Sequence, residues 1–172
     1  MSPQEYRQAV HEHSNRVHSY AAWLLRDLEE SRDVTQDALM KLWINHEKVV
    51  PEAARSWLLK AVYRMCIDRV RRRPPRALGR TIDLAALTPG HSPIPEHRSI
   101  NEEQSRALSE ALGLLPIRER ALILLREVQQ LSYAELSEVF EMPLGSIKGT
   151  LHRARQNLRE VLKSDTRLEM YS

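Results

Sequence analysis

Cysteine and glycine are scarce in this chain, and each scarcity limits the class of structure that it can form. The single cysteine, Cys66, cannot form an internal disulfide, which predicts a core thiol and a reducing compartment. Only five glycines occur, and no stretch alternates polar with apolar residues as a half-buried strand does. The sequence therefore predicts an all-α protein.

Long apolar runs and catalytic motifs are also missing. No segment approaches the ~20 residues of a membrane span, and the N-terminus has no signal-peptide core, so we expect a soluble, cytoplasmic protein. We find no Gly-rich phosphate loop, HExxH motif or nucleophile elbow, so no enzyme, catalytic residue or cofactor is predicted. His11, His13 and His18 do not converge at helical spacing, and no metal site is predicted.

Charge is distributed unevenly along the chain. The 26 Lys and Arg against 23 Asp and Glu leave a net charge of +3, which is too small to indicate nucleic-acid binding by itself. Residues 64–80, however, contain seven arginines and a single acidic residue, Asp68, whereas residues 27–37 contain five acidic residues. The pattern predicts one basic and one acidic surface.

A proline-rich stretch divides the chain. Residues 74–100 contain five of the nine prolines and no sustained periodicity, which is typical of an extended linker. We therefore predict two small helical domains, 1–73 and 101–172, with Asn101 capping the first helix of the second domain.

Three helices are predicted in the first domain. Ser2, Pro3 and Glu5 form a helix start, and the helix should end near residues 27–30. Ser31 would cap the second helix, and a third would run over residues 52–73. The second helix should bury Val34, Ala38, Leu42 and Trp43.

Two surfaces of this domain have two interpretations each. The opposite face of the second helix is either plain solvated surface or a docking face; it carries Arg32, Asp33, Gln36, Asp37, Met40 and Lys41. On the third helix, Trp57 and Tyr63 alternate with arginines, as in proteins that bind single-stranded nucleic acid. The same pattern also fits core aromatics beside a charged helix end.

The C-terminal domain contains a helix pair. Ser132 and Glu135 form a capping box, which Leu131 and Leu136 can close as a hydrophobic staple. Pro143 ends this helix, and a second begins near Gly145 or Ser146. Its predicted buried face is Ile147, Leu151, Ala154, Leu158 and Val161 or Leu162, and its outer face is Ser146, Gly149, His152, Arg153 and Gln156, flanked by Lys148, Thr150 and Arg155. The arrangement is that of a DNA-binding helix-turn-helix, although any amphipathic helix pair has a charged face.

Together, these motifs resemble one family over nearly the whole chain. The stretch SRDVTQDALMKLW is similar to region 2.2 of the extracytoplasmic-function (group 4) sigma factors of the bacterial sigma-70 family. ARSWLLKAVYRMCIDRVRRR is similar to their regions 2.3 and 2.4, and residues 112–160 resemble region 4. The resemblance implies a specificity subunit of RNA polymerase that binds promoter DNA.

The resemblance also implies roles for individual residues. The surface that docks on core polymerase would be Asp33, Gln36, Asp37 and Met40. The single-stranded minus 10 element, with a flipped base, would contact Trp57, Tyr63, Arg64, Met65, Asp68, Arg69 and Arg71. The duplex minus 35 element would contact Ser146, Lys148, Gly149, Thr150, His152, Arg153 and Arg155. An anti-sigma factor, often anchored in the inner membrane, is a further implied partner.

The chain departs from the family pattern at three places. Met65 stands where an asparagine is frequent, and Gly149 and Thr150 replace a frequent Ser-Arg pair. The linker carries Arg76, Arg80 and Arg98 where acidic residues would be expected. The alternative function is a helix-turn-helix repressor or activator that binds duplex DNA without polymerase.

Overall fold

The computed structural model describes residues 1–73 and 102–164, and within these ranges every regular element is helical. The chain divides into two compact units, one within Met1–Ile82 and one within Asp83–Ser172. The predicted all-α, two-unit architecture is thereby confirmed. The predicted linker and the predicted Asn101 cap lie outside the described residues, so the exact domain bounds stay a prediction.

Three long helices form the first unit: α1 (Pro3–Leu25), α2 (Leu28–Ile44) and α3 (Ala54–Arg72). Two 3₁₀ turns, His46–Lys48 and Pro51–Ala53, connect α2 to α3. The predicted capping box at the start of α1 is confirmed, since Glu5 N–H donates to Ser2 Oγ and Ser2 N–H to the Glu5 carboxylate. The helices bury a shared core of Val17, Tyr20, Trp23, Leu24, Val34, Ala38, Leu42, Leu58, Leu59 and Val62.

The start of α2 corrects one prediction. Asp27, not Ser31, caps this helix, and its carboxylate accepts from Glu30 N–H at 3.0 Å. The chain turns at Arg26, whose φ of 53° ends α1, so Asp27 is the first residue free to cap. Ser31 is fully buried within α2, where its hydroxyl donates to Leu28 O at 2.9 Å.

The end of α2 corrects a second prediction. Trp43 does not join the core but remains 43% exposed. Its ring stacks on His46, with centroids 4.6 Å apart, and lies 4.9 Å from the ring of Tyr6 on α1. Neighbours near the surface therefore cover part of the indole and leave the rest accessible.

Cys66 is a core residue, as predicted. Its side chain is fully buried in α3, and burial raises the pKa of the thiol to about 12. A thiol of that pKa is almost entirely protonated at neutral pH and therefore unreactive.

Two partly buried histidines on α1 make the stability of this unit depend on pH. Burial lowers the pKa of His13, an effect that the Glu12 carboxylate opposes and that Arg55 and Arg16 reinforce. Burial also lowers the pKa of His18, where Arg32 adds to the effect. The unfolded chain, with an imidazole pKa of about 6.5, then binds more protons than the folded chain. We expect the free energy of unfolding to fall as the pH drops through about 6.5 toward the folded pKa values.

Urea unfolding followed by tryptophan fluorescence measures this dependence, because all three tryptophans lie in the first unit. A variant with His13→Gln and His18→Gln should flatten the curve below neutrality. His11→Gln, at an exposed position on the same helix, is the matched control and should leave the curve unchanged. If the unfolding free energy of the double variant depended on pH as that of the wild type does, His13 and His18 would not be the cause of the dependence.

The second unit contains α4 (Glu102–Leu114), α5 (Ile117–Ile123), α6 (Tyr133–Phe140) and α7 (Leu144–Ser164). Helix α5 passes directly into a π turn, Leu124–Val128. Gln129 N–H donates to Leu124 O and Leu131 N–H to Leu125 O, both at 3.0 Å. Ala121, Leu122 and Leu125 are buried in the core of this unit, and Val128 is half-buried.

A buried arginine closes the turn between α4 and α5. The Arg120 side chain donates from Nε to Leu112 O at 2.9 Å, and from Nη2 to Leu115 O at 3.1 Å and Gly113 O at 3.3 Å. These carbonyls lie at the end of α4, where a helix leaves acceptors without intrahelical donors. Arg120 therefore satisfies the C-terminal end of one helix from within the next.

Candidate nucleic-acid interface

Helices α6 and α7 form a helix-turn-helix built by local interactions. The predicted capping box is confirmed: Ser132 N–H donates to the Glu135 carboxylate at 2.7 Å, and Glu135 N–H to Ser132 Oγ at 3.1 Å. Leu131 and Leu136 are both fully buried at this helix start, as the staple requires. Glu141, with φ of 54°, ends α6, and three residues later α7 begins at Leu144, one residue before the predicted start.

The two faces of α7 are those predicted from its periodicity. Ile147, Leu151 and Ala154 are buried, whereas Leu158 is half-buried because it lies toward the free end of the helix. The predicted minus 35 residues that are exposed are Ser146, Lys148, Gly149, His152 and Arg153. Thr150 and Arg155 are half-buried on its flanks.

The first two turns of α7 contain two glycines, Gly145 and Gly149, which have no side chain. A Cβ atom added at Gly145 or Gly149 would meet nothing within 4 Å. Glycine is therefore not required there by packing within the chain, and the bare backbone leaves room for a ligand to approach closely.

Gly149→Ala should stabilise the second unit by about 0.5–1 kcal/mol, because alanine restricts the unfolded chain and favours the helix. Far-UV circular dichroism during urea unfolding measures the change. Gly145→Ala is the control: it lies in the first turn, where helix propensity matters less, and should give a smaller gain. A loss of stability at Gly149 would show that some contact excludes the methyl group.

The cationic flank of α7 is held by neighbouring elements. Arg155 donates from Nε to Glu127 Oε1 of the π turn at 3.0 Å and also pairs with it through Nη2. Asn157 donates to both oxygens of Glu119 on α5, at 3.1 and 3.0 Å. Sequence reasoning did not identify Glu127 or Glu119 as partners of α7.

The basic end of α3 provides a second candidate surface. Arg64, Asp68 and Arg71 are exposed, and Trp57, Met65 and Arg69 are half-buried, so all six can be reached from solvent. Tyr63 differs: it is only 8% exposed, because it points into the core between the helices. Its predicted contact with DNA stays a prediction, and it would require the Tyr63 side chain to become accessible.

The outer face of α2 is the third candidate surface. Asp33, Gln36, Asp37 and Met40 are all exposed, Met40 by 60%. Asp37 also forms an ion pair with Arg69 of α3 at 3.7 Å, which joins this surface to the basic end of α3. The acidic and basic surfaces predicted from the charge pattern are thus neighbours.

An apolar extension of this surface was missed from the sequence. Ile44, directly after Trp43 at the end of α2, is 71% exposed, and Val50, between α2 and α3, is 59% exposed. Large exposed apolar side chains beside charged ones are typical of protein-binding sites. The available signal was the apolar run at the end of α2, in which periodicity assigned Leu42 and Trp43 to the core and left Ile44 unassigned.

Within residues 1–73 and 102–164, no group of three or more His, Cys, Asp or Glu side chains could hold a metal ion. None of the described helices is long and apolar enough to cross a membrane.

Two family models match the chain. Sigma-70 region 2 matches residues 9–74, and Sigma-70, region 4 matches residues 105–158. The first match contains α2 and α3, and the second contains the helix-turn-helix. Together the matches cover more than half of the chain.

Individual sigma factors are similar to most of the chain. The ECF RNA polymerase sigma factor SigE of Mycolicibacterium smegmatis is 28% identical over 153 residues, which are 89% of this chain and 60% of that protein. SigW of Bacillus subtilis is 23% identical over 88% of this chain and 85% of its own length. SigM of Mycobacterium tuberculosis is 27% identical over 91% and 76%.

Two solved structures share the fold. RpoE of Bartonella quintana, in complex with the anti-sigma factor NepR, matches with a TM-score of 0.71 and 22% identity over 94% of this chain and 99% of that chain. CnrH, in complex with the cytosolic domain of CnrY, matches with a TM-score of 0.70 and 21% identity over 96% and 92%. At these identities the likeness concerns the fold alone.

Proposed function

Because the chain belongs to the extracytoplasmic-function group of the sigma-70 family, we propose that it directs bacterial core RNA polymerase to specific promoters and assists their opening. It would give the polymerase its specificity for promoters and would itself catalyse no reaction.

The observation that carries this proposal is the presence of both sigma regions in one chain. A helix-turn-helix repressor or activator requires a DNA-binding element such as region 4, but it does not require a region 2 with an arginine-rich α3. Region 2 matches residues 9–74, which favours the sigma factor over that alternative. In this proposal, domain 1–73 acts as region 2 and domain 101–172 as region 4.

Each surface receives a role in the proposal. The α2 face would dock on core polymerase through Asp33, Gln36, Asp37 and Met40. The α3 surface would bind the minus 10 strand through Trp57, Arg64, Met65, Asp68, Arg69 and Arg71, with Trp57 offering a ring on which an unstacked base can pack. The outer face of α7 would enter the major groove at minus 35, where its small residues permit close approach.

Control by an anti-sigma factor is also part of the proposal. The matched structure of RpoE holds the anti-sigma factor NepR, and that of CnrH holds the cytosolic domain of CnrY. A similar partner would compete for the exposed faces of α2 and α7 and keep the protein inactive in the cytoplasm, in some cases at the inner membrane.

Run-off transcription tests the function directly. Purified core polymerase is incubated with a genomic fragment library, with and without the protein, and the transcripts are sequenced. We expect transcripts that depend on the protein and share elements near minus 35 and minus 10.

The same experiment separates the two functions. Absence of such transcripts, together with tight binding of particular duplexes by the protein alone, would overturn the proposal in favour of a repressor or activator. Met65, Gly149 and Thr150 depart from the family pattern, so we expect the shared elements to differ from the common ones of the family.

A further inference from the structure

Arg73, the residue that follows α3, connects all three helices of the first unit. Its Nη1 donates to Leu25 O, at the end of α1, at 2.8 Å, and its Nη2 donates to the Glu30 carboxylate in the first turn of α2. The Arg73 and Glu30 side chains are 16% and 34% exposed, so water reaches this pair only in part. We call Arg73, Leu25 O and Glu30 the Arg73 bridge.

The bridge matches the charges that the helix ends carry. The end of α1 is the negative end of its dipole and has carbonyls without intrahelical donors, and its last turn, Ala22–Leu25, consists of apolar residues. Arg73 supplies a cation and a donor there from α3. Glu30 lies at the positive, N-terminal end of α2, where an acidic side chain is stabilised. Both partners of the guanidinium therefore favour its position.

The basic end of α3 is only weakly held by apolar packing. Cys66 is the last fully buried residue of the helix, and the six residues that follow, Ile67–Arg72, are half-buried or exposed. Three of these six are arginines, whose like charges repel one another. The ion pair of Arg69 with Asp37, at 3.7 Å and with the Asp37 side chain 54% exposed, contributes little. The Arg73 bridge therefore fixes the direction of this helix end.

We propose that Arg73 and Glu30 are positioning residues for the capture of the minus 10 strand. By fixing the end of α3, they present Arg69 and Arg71 in one arrangement before a strand arrives. A cation that is already in place binds more tightly, because less conformational freedom is lost on binding. Arg73 and Glu30 act through α3 and contact no DNA themselves. The inference rests on the role proposed for α3.

The sign of the effect at Glu30 separates positioning from bulk electrostatics. If charge alone mattered, Glu30→Gln would strengthen the binding of a polyanion, because it removes a negative charge near the arginines. If Glu30 positions α3 through Arg73, the same change weakens binding. Glu29→Gln is the matched control, since Glu29 is the exposed neighbour in the same helical turn. It should bind as tightly as the wild type or slightly more tightly.

Arg73→Lys tests the other partner of the bridge without a change in net charge. An ammonium group lacks the planar fork with which a guanidinium donates to a carbonyl and a carboxylate at once. We expect Arg73→Lys and Glu30→Gln each to weaken strand binding by about two- to tenfold. The double variant should bind about as well as Arg73→Lys alone, because both changes break the same bridge.

Strand binding is measured with the full-length protein and a single-stranded oligonucleotide of mixed sequence. Quenching of tryptophan fluorescence detects binding at the first unit, where all three tryptophans lie. Amide hydrogen exchange at residues 70–73 measures the bridge without DNA, and it should be faster in Arg73→Lys and Glu30→Gln than in the wild type and Glu29→Gln. The urea midpoint of each variant verifies that it is folded. A bridge that served only stability would lower this midpoint and leave the affinity of the folded protein unchanged.

Wild-type affinity in Arg73→Lys would overturn the inference, as would binding by Glu30→Gln that is as tight as that of Glu29→Gln. Unchanged exchange at residues 70–73 in both variants would overturn it as well. If the wild-type protein itself failed to bind single strands, the role proposed for α3 would also fall. Run-off transcription further requires core polymerase and a minus 35 element, so it can fail while strand binding succeeds, and the two failures are distinguishable.

Discussion

Met40→Asp should reduce the affinity for core RNA polymerase by about 30-fold or more and abolish run-off transcription. Met40 is 60% exposed in the free chain, next to the exposed parts of Trp43 and Ile44. In the proposed complex this apolar surface becomes buried, and a carboxylate placed there would lose its water without gaining a partner. Competition of the variant against the wild-type protein for core polymerase measures the loss.

The fold should be unaffected by this substitution, because the side chain is on the surface. We expect the free energy of unfolding to change by less than about 0.5 kcal/mol. Leu114→Asp is a matched control: Leu114 is 73% exposed but lies at the end of α4, outside the proposed surfaces. If Met40→Asp competed for core polymerase as well as the wild-type protein does, the end of α2 would not be the docking site. The same conclusion would follow if Leu114→Asp lost as much affinity as Met40→Asp.

Arg120→Met should destabilise the second unit by about 3 kcal/mol or more. The methionine keeps most of the buried volume but donates no hydrogen bond. The carbonyls of Gly113 and Leu115 would then lose the donor that Arg120 supplies, and Leu112 O would keep only the Leu115 N–H at 3.2 Å. A buried acceptor without a donor costs more than the net value of the bond itself.

Two optical signals separate this effect from any change in the first unit. Tryptophan fluorescence reports only the first unit, and we expect its urea midpoint to stay unchanged. Far-UV circular dichroism reports both units, and the transition of the second unit should move to a lower urea concentration. Arg118→Met, at an exposed position on the same helix, should have little effect. Equal stability of Arg120→Met and Arg118→Met would show that the buried hydrogen bonds contribute nothing.

Features set by neighbouring residues could be predicted from the sequence. Both capping boxes, at Ser2 and at Ser132, were found because their hydrogen bonds span only three residues. The buried face of α7 followed from its 3.6-residue period. Each of these features depends on the local backbone, which the sequence determines almost directly.

Features set by distant neighbours could not be predicted. Asp27 and Ser31 are both good capping residues, and the choice between them depends on the turn at Arg26, which Arg73 supports by donating to Leu25 O at 2.8 Å. Trp43 has the spacing of a core residue, but the core ends before it. The two corrections at α2 therefore have a tertiary cause.

The candidate sites show the same division. The outer residues of α7 were predicted from its period, whereas the burial of Tyr63 was not, because an aromatic residue among arginines fits both a surface and a core. Arg126 and Glu127 gave no signal at all, since the π turn that presents them has no periodic signature. Their partners, Tyr133 and Arg155, lie in other helices.

The open space around Gly149 has a consequence for how such proteins diverge. Most changes in a binding specificity must first be made compatible with the packing beneath the surface. Apart from its chain neighbours and the nearby backbone of its own helix, nothing lies within 4 Å of a Cβ added at Gly149, so a methyl group can be introduced there without a compensating change elsewhere. If α7 reads the minus 35 element as proposed, a gene duplicate would be able to change its target promoters through a substitution at this position while the fold stays intact.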